Sequence, residues 1–273
     1  MAVAGRGRII VWEGASLWVL EAAEEVAQTD FHSHHAIQVT LALAGDFELR
    51  AAGERLTGPA VAVAADASHI FRATGLAAFL FVEPESGAGQ ALAASSLGGK
   101  ALGALFEPAL RPLLDGLAAR FWANADDSEM IRTGQEILAA LTGSAAAVAT
   151  NRRVQAMIAY ASDNLGNPIS LPAAAGAACL SPSRARHLFV EQTGLPFRTF
   201  VLWLRIKRAV EIFAAGASLT EAAHEAGFAD SAHFSRTFRR NFGLPAAALR
   251  VNSRFVRAAP SEPALGRLLR DGD

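Results

Sequence analysis

The chain has 273 residues, of which 52% are hydrophobic and 19% are charged. This length allows two or three domains, and this composition supplies a folded core and excludes disorder throughout the chain. The single cysteine, Cys179, excludes an internal disulfide and a zinc site built from several cysteines. No apolar run approaches the ~18 residues needed to cross a bilayer, and the apolar stretch at residues 9–12 is too short for a secretory signal. We therefore expect a cytoplasmic protein with no membrane partner.

The net charge of −1 conceals an asymmetry along the chain. Residues 1–150 hold 9 Lys and Arg against 17 Asp and Glu, whereas residues 151–257 hold 14 against 6. A basic half joined to an acidic half favours a polyanionic partner for the C-terminal half. Chance segregation of charge is the alternative, and charge alone does not decide between the two.

Short strands are predicted between residues 36 and 82. Polar and apolar residues alternate over residues 46–50, which is typical of a half-buried strand. Residues 39–44 and 79–82 are short apolar runs bounded by turn-forming residues, as buried strands are. Several short strands at this close spacing predict a small antiparallel β-barrel or sandwich.

Four of the seven histidines lie in or beside these strands. The spacing His32-x-His34, followed by Gln38 and a distant His69, resembles the metal-binding pattern of cupin barrels. Imidazoles two residues apart on a strand point to the same face, so joint ligation of a metal by His32, His34 and His69 is possible. However, Gln38 stands where such a site usually has Glu, and a neutral amide is a poorer ligand for a divalent cation. We prefer a pocket without metal or other cofactor, with the candidate effector-binding residues His32, His34, His35, Gln38 and His69.

The region after the strands changes character. Residues 84–99 are rich in Gly, Ala and Ser and are predicted to form a loop or linker. Apolar residues then recur at three- and four-residue steps from Leu102 to Phe121, which predicts an amphipathic helix bent near its prolines. A second helix is predicted over residues 128–141. An apolar stripe is usually internal core, but two helices appended to a barrel could also bury a face against a second copy.

The C-terminal half contains an internal repeat. Residues 170–194 and 218–243 share a pattern whose offset is 48 residues in the first part and 49 at the end, so the second copy has one added residue in its turn. Each copy is predicted to be a helix, a tight turn and a second helix. Ser181 and Asp230 are predicted to cap the second helices, and Ser218 to begin a capping box.

The predicted second helices present an arginine-bearing face to solvent. The residues predicted to face inward are Ala185, Leu188 and Phe189 in the first copy, and Phe234 and Phe238 in the second. An exposed helix with arginines after a short turn fits the major groove, where a guanidinium pairs with guanine O6 and N7. One such arginine is commonly only a solvated residue, but two such helices in tandem favour nucleic-acid binding.

A long helix is predicted to join the two copies. Apolar residues recur at helical spacing over residues 197–214, which corresponds to about 18 residues and ~27 Å. Successive major grooves on one face of DNA are ~34 Å apart. A rigid spacer of this length predicts that one chain contacts two successive grooves with its two second helices.

A long motif runs through the second copy: Ala223-x-x-x-Gly227-Phe228-x-Asp230-x-x-x-Phe234-x-Arg236-x-Phe238-Arg239, followed by Phe242-Gly243 and Arg250. The first copy matches through Ser181-Pro182-Ser183, Leu188-Phe189 and Thr193-Gly194. With these motifs, residues 151–250 resemble the DNA-binding domain of the AraC/XylS family of transcription regulators. The chain departs from the family at Cys179, which stands where the first turn usually has glycine. We expect this turn to be strained or differently shaped.

The resemblance implies a cupin-like N-terminal barrel that senses a small molecule, helices that dimerise, and tandem helix-turn-helix units that bind double-stranded DNA. It also implies that the exposed positions of both second helices contact DNA. The candidate DNA-binding residues are Ser183, Arg184, Arg186, His187, Ser231, Ala232, His233, Ser235, Arg236 and Arg239. The implied partners are DNA, a small-molecule effector, a second copy of the chain and, for an activator, RNA polymerase.

We therefore predict an α+β multidomain chain. A small antiparallel β-barrel with appended helices precedes an all-α domain in which a long helix joins two helix-turn-helix units. The predicted regions are a barrel and linker (1–99), a helical linker or dimerisation segment (100–149), a DNA-binding domain (150–257, with units at about 170–194 and 218–243) and a flexible tail (258–273). The predicted function is sequence-specific transcription regulation, not catalysis. A metal-binding cupin enzyme or metal sensor tethered to DNA, and an architectural DNA binder with an empty barrel, are the alternatives.

Overall fold

The computed structural model describes residues 6–22, 27–105, 108–143, 151–250 and 253–258. The strands of its N-terminal part are β1 (Gly7–Trp12), β2 (Ala15–Glu21), β3 (Ala27–Gln28), β4 (Ile37–Ala44), β5 (Phe47–Ala51), β6 (Glu54–Thr57), β7 (Ala60–Val63), β8 (His69–Ala73), β9 (Leu76–Val82) and β10 (Leu102–Ala104). Within the described residues they form two sheets, with the strand orders β10-β7-β4-β9-β2-β1-β11 and β3-β8-β5-β6, where β11 is Ser253–Arg257. Apart from the parallel pair β1–β11, the strand pairs are antiparallel. This confirms the α+β prediction for the N-terminal part.

The space between the two sheets is filled by aromatic and branched side chains. Strand β9 shows how, because alternate side chains of a strand point to opposite faces. Phe79 and Phe81 point between the sheets and join a core with Phe71 of the smaller sheet. Leu80 and Val82 point to the other face of the larger sheet and join a second core. Both faces of β9 are therefore buried, which explains why its sequence is a continuous apolar run.

Helices cover the outer face of the larger sheet. They are α1 (Gly87–Leu92), which continues into a π-helical turn (Ala93–Leu97), α2 (Leu110–Trp122) and α3 (Asp127–Thr142). The apolar stripe of α2 is buried against the sheet. It is therefore internal core and does not offer a free face to a second copy. Helix α3 confirms the helix predicted over residues 128–141.

Two predictions for residues 84–105 are wrong. Part of the predicted linker is helical, and its glycine at Gly89 serves close packing, because a Cβ there would overlap the carbonyl oxygen of Glu83. The helix predicted from Leu102 begins only at Leu110. Residues 102–104 instead pair with β7 as an edge strand, because a three-residue strand leaves too little sequence for its period to be distinguished from that of a helix.

The C-terminal part is helical, as predicted. Its helices are α4 (Arg152–Asp163), α5 (Leu171–Ala177), α6 (Pro182–Thr193), α7 (Phe197–Ala214), α8 (Leu219–Glu225) and α9 (Ser231–Phe242), followed by a 3-10 turn (Ala246–Arg250). Helix α7 has the predicted bounds. The caps are also confirmed, because the side chains of Ser181 and Asp230 accept hydrogen bonds from main-chain amides of α6 and α9, and Ser218 forms the capping box with Glu221.

The two helix-turn-helix units have different cores. The first unit, α5 and α6, packs with α4 and the start of α7 around Phe189, Phe197 and Phe200. The second unit, α8 and α9, contributes Phe234, Phe238 and other side chains to the same core that fills the space between the two sheets. The second unit is therefore continuous with the two-sheet N-terminal domain, which is called the barrel below, whereas the first unit has a core of its own.

After the second unit the chain returns to the N-terminal sheet. Strand β11 pairs in parallel with β1, in the register Ile9↔Phe255. The predicted DNA-binding domain, residues 150–257, includes this strand, but the strand extends the larger sheet of the N-terminal part. The predicted tail, residues 258–273, lies outside the described residues except for Ala258. None of the described helices is long and apolar enough to span a bilayer.

Candidate nucleic-acid interface and barrel cavity

The exposed face of α6 carries the residues predicted to contact DNA. The side chains of Ser183, Arg184, Arg186 and His187 are exposed, whereas those of Ala185, Leu188 and Phe189 are buried. The helix begins at Pro182 directly after its cap, so these exposed side chains lie in its first two turns. In helix-turn-helix proteins the N-terminal part of the second helix is the part that reaches base edges.

On the corresponding face of α9, fewer of the predicted residues are exposed. Ala232, Arg236 and Arg239 are exposed, while Ser231, His233 and Ser235 are half-buried. The Ser235 hydroxyl donates to the main-chain oxygen of Ser231 at 2.8 Å, and the ring of His233 lies 5.2 Å from that of Phe228. Because these two polar side chains contact other residues of their own unit, Ala232 and Arg236 are the predicted DNA-binding residues that stay exposed near the start of α9.

The turns of the two units place different residues in the same backbone conformation. Cys179 has a φ of +53° and Gly227 has a φ of +82°. A Cβ at Gly227 would overlap the carbonyl oxygen of Leu165, so only glycine fits there. Cys179 is exposed and has the space for its side chain, but it adopts a left-handed conformation that non-glycine residues disfavour. The expected strain in the first turn is therefore present.

The C-terminal end of α9 docks on the barrel. The ring of Phe242 stacks on that of Trp18 with a centroid separation of 5.3 Å and lies 5.9 Å from the ring of His34. The amide of Asp30 donates to the carbonyl oxygen of Gly243 at 2.7 Å. A Cβ at Gly243 would overlap the carbonyl oxygen of Asp30, so the barrel approaches this main chain as closely as glycine permits.

Two ion pairs also join the barrel to the C-terminal helices. Arg239, a predicted DNA-binding residue, holds the carboxylate of Asp30 through Nη2 at 2.6 Å and Nε at 2.9 Å. Lys207 of α7 pairs with Glu83, which follows β9. Arg239 is therefore both exposed and committed to the barrel in this structure, and its use on DNA would require it to leave Asp30.

The equivalent end of α6 makes no such contact with the described part of the barrel. Thr193, which corresponds to Phe242, turns back onto its own helix and donates to the carbonyl oxygen of Phe189 at 2.8 Å. Gly194, which corresponds to Gly243, has no described atom within 4 Å of the position a Cβ would take. Thr193 therefore contacts its own unit, whereas the corresponding Phe242 and the Gly243 after it contact the barrel.

A cavity of about 60 Å³ lies between the sheets, beneath the docked end of α9. Its wall on the barrel side includes Trp18, Phe71, Phe79 and Phe81, together with three polar residues. Its wall on the other side is formed by the C-terminal residues Phe242, Leu244 and Leu249. The polar residues are Thr29, His32 and Gln38.

Three of the predicted histidines form a cluster beside this cavity, and of the three His32 lines it. His32, His34 and His69 are buried, and one ring nitrogen of each lies within 4.8 Å of the others. The Nδ1 atoms lie 2.9 to 3.0 Å from the main-chain oxygens of Asp30, Ala36 and Ala67. A carbonyl oxygen only accepts, so each Nδ1 donates and each Nε2 is left as an acceptor.

Burial keeps this cluster neutral. Burial and the neighbouring His69 lower the pKa of His32 to about 3, burial lowers the pKa of His34 well below its usual value, and burial lowers the pKa of His69. Nε2 of His34 lies 3.0 Å from Oε1 of Gln38, whose amide also lies 2.9 Å from the Thr40 hydroxyl. With its amide nitrogen toward His34 and its oxygen toward Thr40, Gln38 satisfies both neighbours. Three neutral imidazoles are suitable ligands for a first-row transition metal.

His35 does not join the cluster, because adjacent residues of an extended chain point to opposite sides. Its Nδ1 lies 2.9 Å from Oδ2 of Asp66, its Nε2 lies 3.5 Å from Oε2 of Glu85, and its ring lies 5.6 Å from that of Phe200. Burial lowers the pKa of His35, but the carboxylates of Asp66 and Glu85 outweigh it and raise this pKa to about 9. His35 is therefore paired with carboxylates of the N-terminal part and contacts α7 through its ring, rather than lining the cavity.

Sequence reasoning missed the barrel side of the docking contact. Trp18 lies on β2, before the first predicted strand, and Asp30 lies in a loop with no recognisable motif. Phe242 and Gly243 belong to the motif of the second copy, but that motif alone does not show that the barrel receives them. The sequence difference between Thr193 and Phe242 is the one signal that the two copies end differently.

Comparisons with known proteins fit this geometry. A family model described as a helix-turn-helix domain matches residues 174–252. The HTH-type transcriptional regulator YpdC of Escherichia coli is 33% identical over 86 residues, which are 31% of this chain and 30% of that protein. The HTH-type transcriptional activator RhaS of Escherichia fergusonii is 34% identical over 95 residues, 34% of each protein. The chain thus spans about a third of the length of these relatives.

Solved structures show a likeness over both parts of the chain. Apo ToxT from Vibrio cholerae superposes with a TM-score of 0.59 and 12% identity, covering 88% of this chain and 98% of that one. Wild-type ToxT bound to an unsaturated fatty acid gives 0.54 and 11%, covering 87% and 94%. At such identities the likeness shows the fold. The C-terminal helix-turn-helix part is thus similar to those of HTH-type transcriptional regulators. The fold of the chain, with an N-terminal domain before the helix-turn-helix part, is similar to that of ToxT.

Proposed function

We propose that the protein is a sequence-specific, DNA-binding transcription regulator, and that a small-molecule effector in the N-terminal barrel controls it. It has no catalytic role in this proposal, and it acts in the cytoplasm as a homodimer. RNA polymerase is a further partner if the protein activates transcription. The observation that carries the proposal is the pair of exposed, arginine-bearing helices α6 and α9, each placed after a short turn and separated by α7.

The chemistry of these helices suits the major groove. Arg186 of α6 and Arg236 of α9 are exposed and near the starts of their helices. A guanidinium presents paired N–H donors that match O6 and N7 of guanine, and each such contact contributes about 1–3 kcal/mol of discrimination. Neighbouring arginines and helix N-termini bind phosphates and set the register of the protein on DNA.

The test is to select binding sites from a random pool of double-stranded DNA and to measure affinity by fluorescence anisotropy. Replacing Arg236 or Arg186 by Ala should weaken binding to the selected site about 5- to 150-fold, as expected for the loss of one base contact. The control is Arg132→Ala, which removes the same charge from the exposed face of α3, away from both helices. Affinity should also fall steeply as salt is raised.

Two results would count against the proposal. The first is the absence of any enriched sequence after selection. The second is an equal effect of Arg132→Ala and Arg236→Ala, because that would show only a general dependence on charge. A selected site with an unchanged affinity for Arg236→Ala would remove this residue from the contact set without removing the function.

A second candidate is a metal sensor or metal-dependent enzyme built on His32, His34 and His69. Three observations favour it: the three rings are buried, their Nε2 atoms are acceptors, and Nε2 of His69 has no hydrogen-bond partner among the described residues. A divalent transition metal would fit these three nitrogens, and the main-chain oxygens that accept from each Nδ1 already fix the orientation of the rings. Gln38 would have to release His34 for all three to bind at once.

Elemental analysis of protein purified without chelators separates the two candidates. A metal sensor or enzyme predicts about one metal per chain, lost in His69→Ala and kept in His35→Ala, whose ring faces Asp66 instead. A protein without metal that still selects a DNA site would leave the regulator with an organic effector.

A further inference from the structure

The barrel cavity has a chemical character that restricts what it can hold. Its walls are aromatic and aliphatic, and the polar groups are Thr29, His32 and Gln38. No Lys, Arg, Asp or Glu is among the described residues that line it. An anion or cation in this space would lose its hydration without gaining an opposite charge, which disfavours charged ligands.

The polar groups are themselves mostly occupied. The Thr29 hydroxyl accepts from the amide of Phe71 at 3.0 Å, and the Gln38 amide lies between His34 and Thr40. His32 donates through Nδ1 to Asp30, which leaves its Nε2 as an acceptor. A sugar has several hydroxyls that need hydrogen-bond partners, and the cavity offers too few free groups to bind them. A ligand with one hydroxyl or N–H group does.

The size of the cavity indicates how a ligand would enter. A volume of about 60 Å³ is far below the roughly 300–1,000 Å³ of pockets that enclose small-molecule ligands. The barrel strands form one wall, while Phe242, Leu244 and Leu249 of the C-terminal part form the other. The wall contributed by the C-terminal part is therefore the one whose removal would enlarge the space without opening a sheet.

We propose that the cavity binds an uncharged, largely apolar small molecule that carries one hydrogen-bond donor, and that this molecule takes the place of Phe242 and its neighbours. Binding would thereby release the end of α9 from the barrel and free Arg239 from Asp30. The proposal deepens the proposed function, on which it rests, because it names the class of effector and the contact that the effector changes.

Three naphthalene derivatives of similar shape test the ligand class by isothermal titration calorimetry on the full chain without DNA. They are 2-naphthol, which donates a hydrogen bond, 2-methoxynaphthalene, which does not, and 2-naphthoate, which is charged. We expect 2-naphthol to bind more tightly than 2-methoxynaphthalene. We expect 2-naphthoate to bind at least about tenfold more weakly than 2-naphthol, because a buried, unpaired charge costs more than the 1.4 kcal/mol that corresponds to tenfold.

Two glycine variants test the displacement. Gly243→Ala introduces a clash with the Asp30–His32 segment, whereas Gly194→Ala changes the equivalent, open position of the first unit. Both place Ala at a positive φ, so they share the backbone strain and differ in the clash. In Gly243→Ala the end of α9 is already displaced from the barrel, so the ligand does not have to displace it. We therefore expect 2-naphthol to bind Gly243→Ala about tenfold more tightly than the wild type. Gly194→Ala should bind like the wild type, and Phe242→Ala, where it folds, should follow Gly243→Ala.

Several outcomes would overturn the proposal. Tighter binding of 2-naphthoate would overturn the ligand class. Weaker binding to Gly243→Ala would show that the C-terminal residues hold the ligand rather than yield to it, and equal affinity of both glycine variants would remove the displacement. Absence of saturable binding to the wild type and both variants would remove the site. None of these measurements contains DNA, so a failure of the DNA selection would leave their result unaffected.

Discussion

The two helix-turn-helix units share a sequence pattern but differ in what holds their second helices. At the end of α6, Thr193 bonds to its own helix and Gly194 faces open space. At the end of α9, Phe242 stacks on Trp18 and Gly243 meets the barrel main chain. Burying an aromatic side chain of this size contributes roughly 1.5–3 kcal/mol to the free energy of unfolding. The second unit gains this stabilisation from its contact with the barrel, and the first unit does not.

Under the proposed function, this difference would give one chain a fixed and a controlled DNA-binding helix. The first unit has its own core, and the barrel contacts that core through α7, where the ring of His35 lies against Phe200. The second unit shares its core with the barrel, so any change of the cavity acts directly on α9. A ligand shifts such an equilibrium only by its different affinity for the docked and undocked states.

The largest effect should come from removing the shared aromatic ring. Phe242→Ala should lower the free energy of unfolding by about 3–5 kcal/mol, as is usual for a buried Phe that leaves a cavity. The matched change Thr193→Ala removes one hydrogen bond and a small side chain, and should cost about 1–2 kcal/mol. Urea denaturation followed by circular dichroism measures both. Equal costs at the two positions would contradict the difference between the units.

A smaller effect is expected from His35, which is paired with Asp66 and Glu85 and contacts Phe200 of α7. The pKa of His35 in the folded chain is raised to about 9. Its stabilising contribution should be complete below the unfolded pKa of about 6.5 and disappear as the pH rises through 9. Relative to His35→Gln, the wild type should therefore lose roughly 1–3 kcal/mol of stability between pH 6.5 and 9.5. Thermal unfolding of both proteins across this range measures it, and parallel pH profiles would show that His35 is neutral.

The smallest effect concerns the turn of the first unit. Cys179→Gly should relieve the left-handed strain but make the unfolded chain more flexible, so we expect a net gain of only about 0.5 kcal/mol. The reciprocal test is Gly227→Ala in the second unit, which should destabilise strongly because its Cβ would overlap the carbonyl oxygen of Leu165. Thermal melts of the two variants compare the turns. A loss of stability in Cys179→Gly would show that the thiol makes a contact worth more than the strain.

Local sequence signals predict the helical half well. The caps at Ser181, Ser218 and Asp230 and the period of α7 are determined within a few residues of chain, so the sequence contains what is needed to place them. The arginine-bearing faces follow from the same period. The convergence of His32, His34 and His69 also agrees with their spacing. The prediction that His35 lines the same pocket is wrong, because its side chain points away toward Asp66.

Contacts between distant segments could not be predicted in this way. Strand β11 pairs with β1 across more than 240 residues of sequence. Both strands are too short for their sequences to indicate which strand they pair with. Strand β10 is too short to be distinguished from the start of a helix. The docking of Phe242 on Trp18 depends on where the barrel lies relative to the second unit, and no local sequence pattern predicts that relative position.

Hydrogen exchange at two main-chain amides tests most directly whether the barrel holds the second unit. The amide of Asp30 donates to Gly243 and that of Ser33 to Arg240, so both should be protected only while the second unit is docked. We predict that these two amides are protected in the wild type and in Gly194→Ala, and exchange faster in Gly243→Ala while the amides of α6 are unchanged. Rapid exchange of both amides in the wild type, or equal protection in the two variants, would contradict the docking.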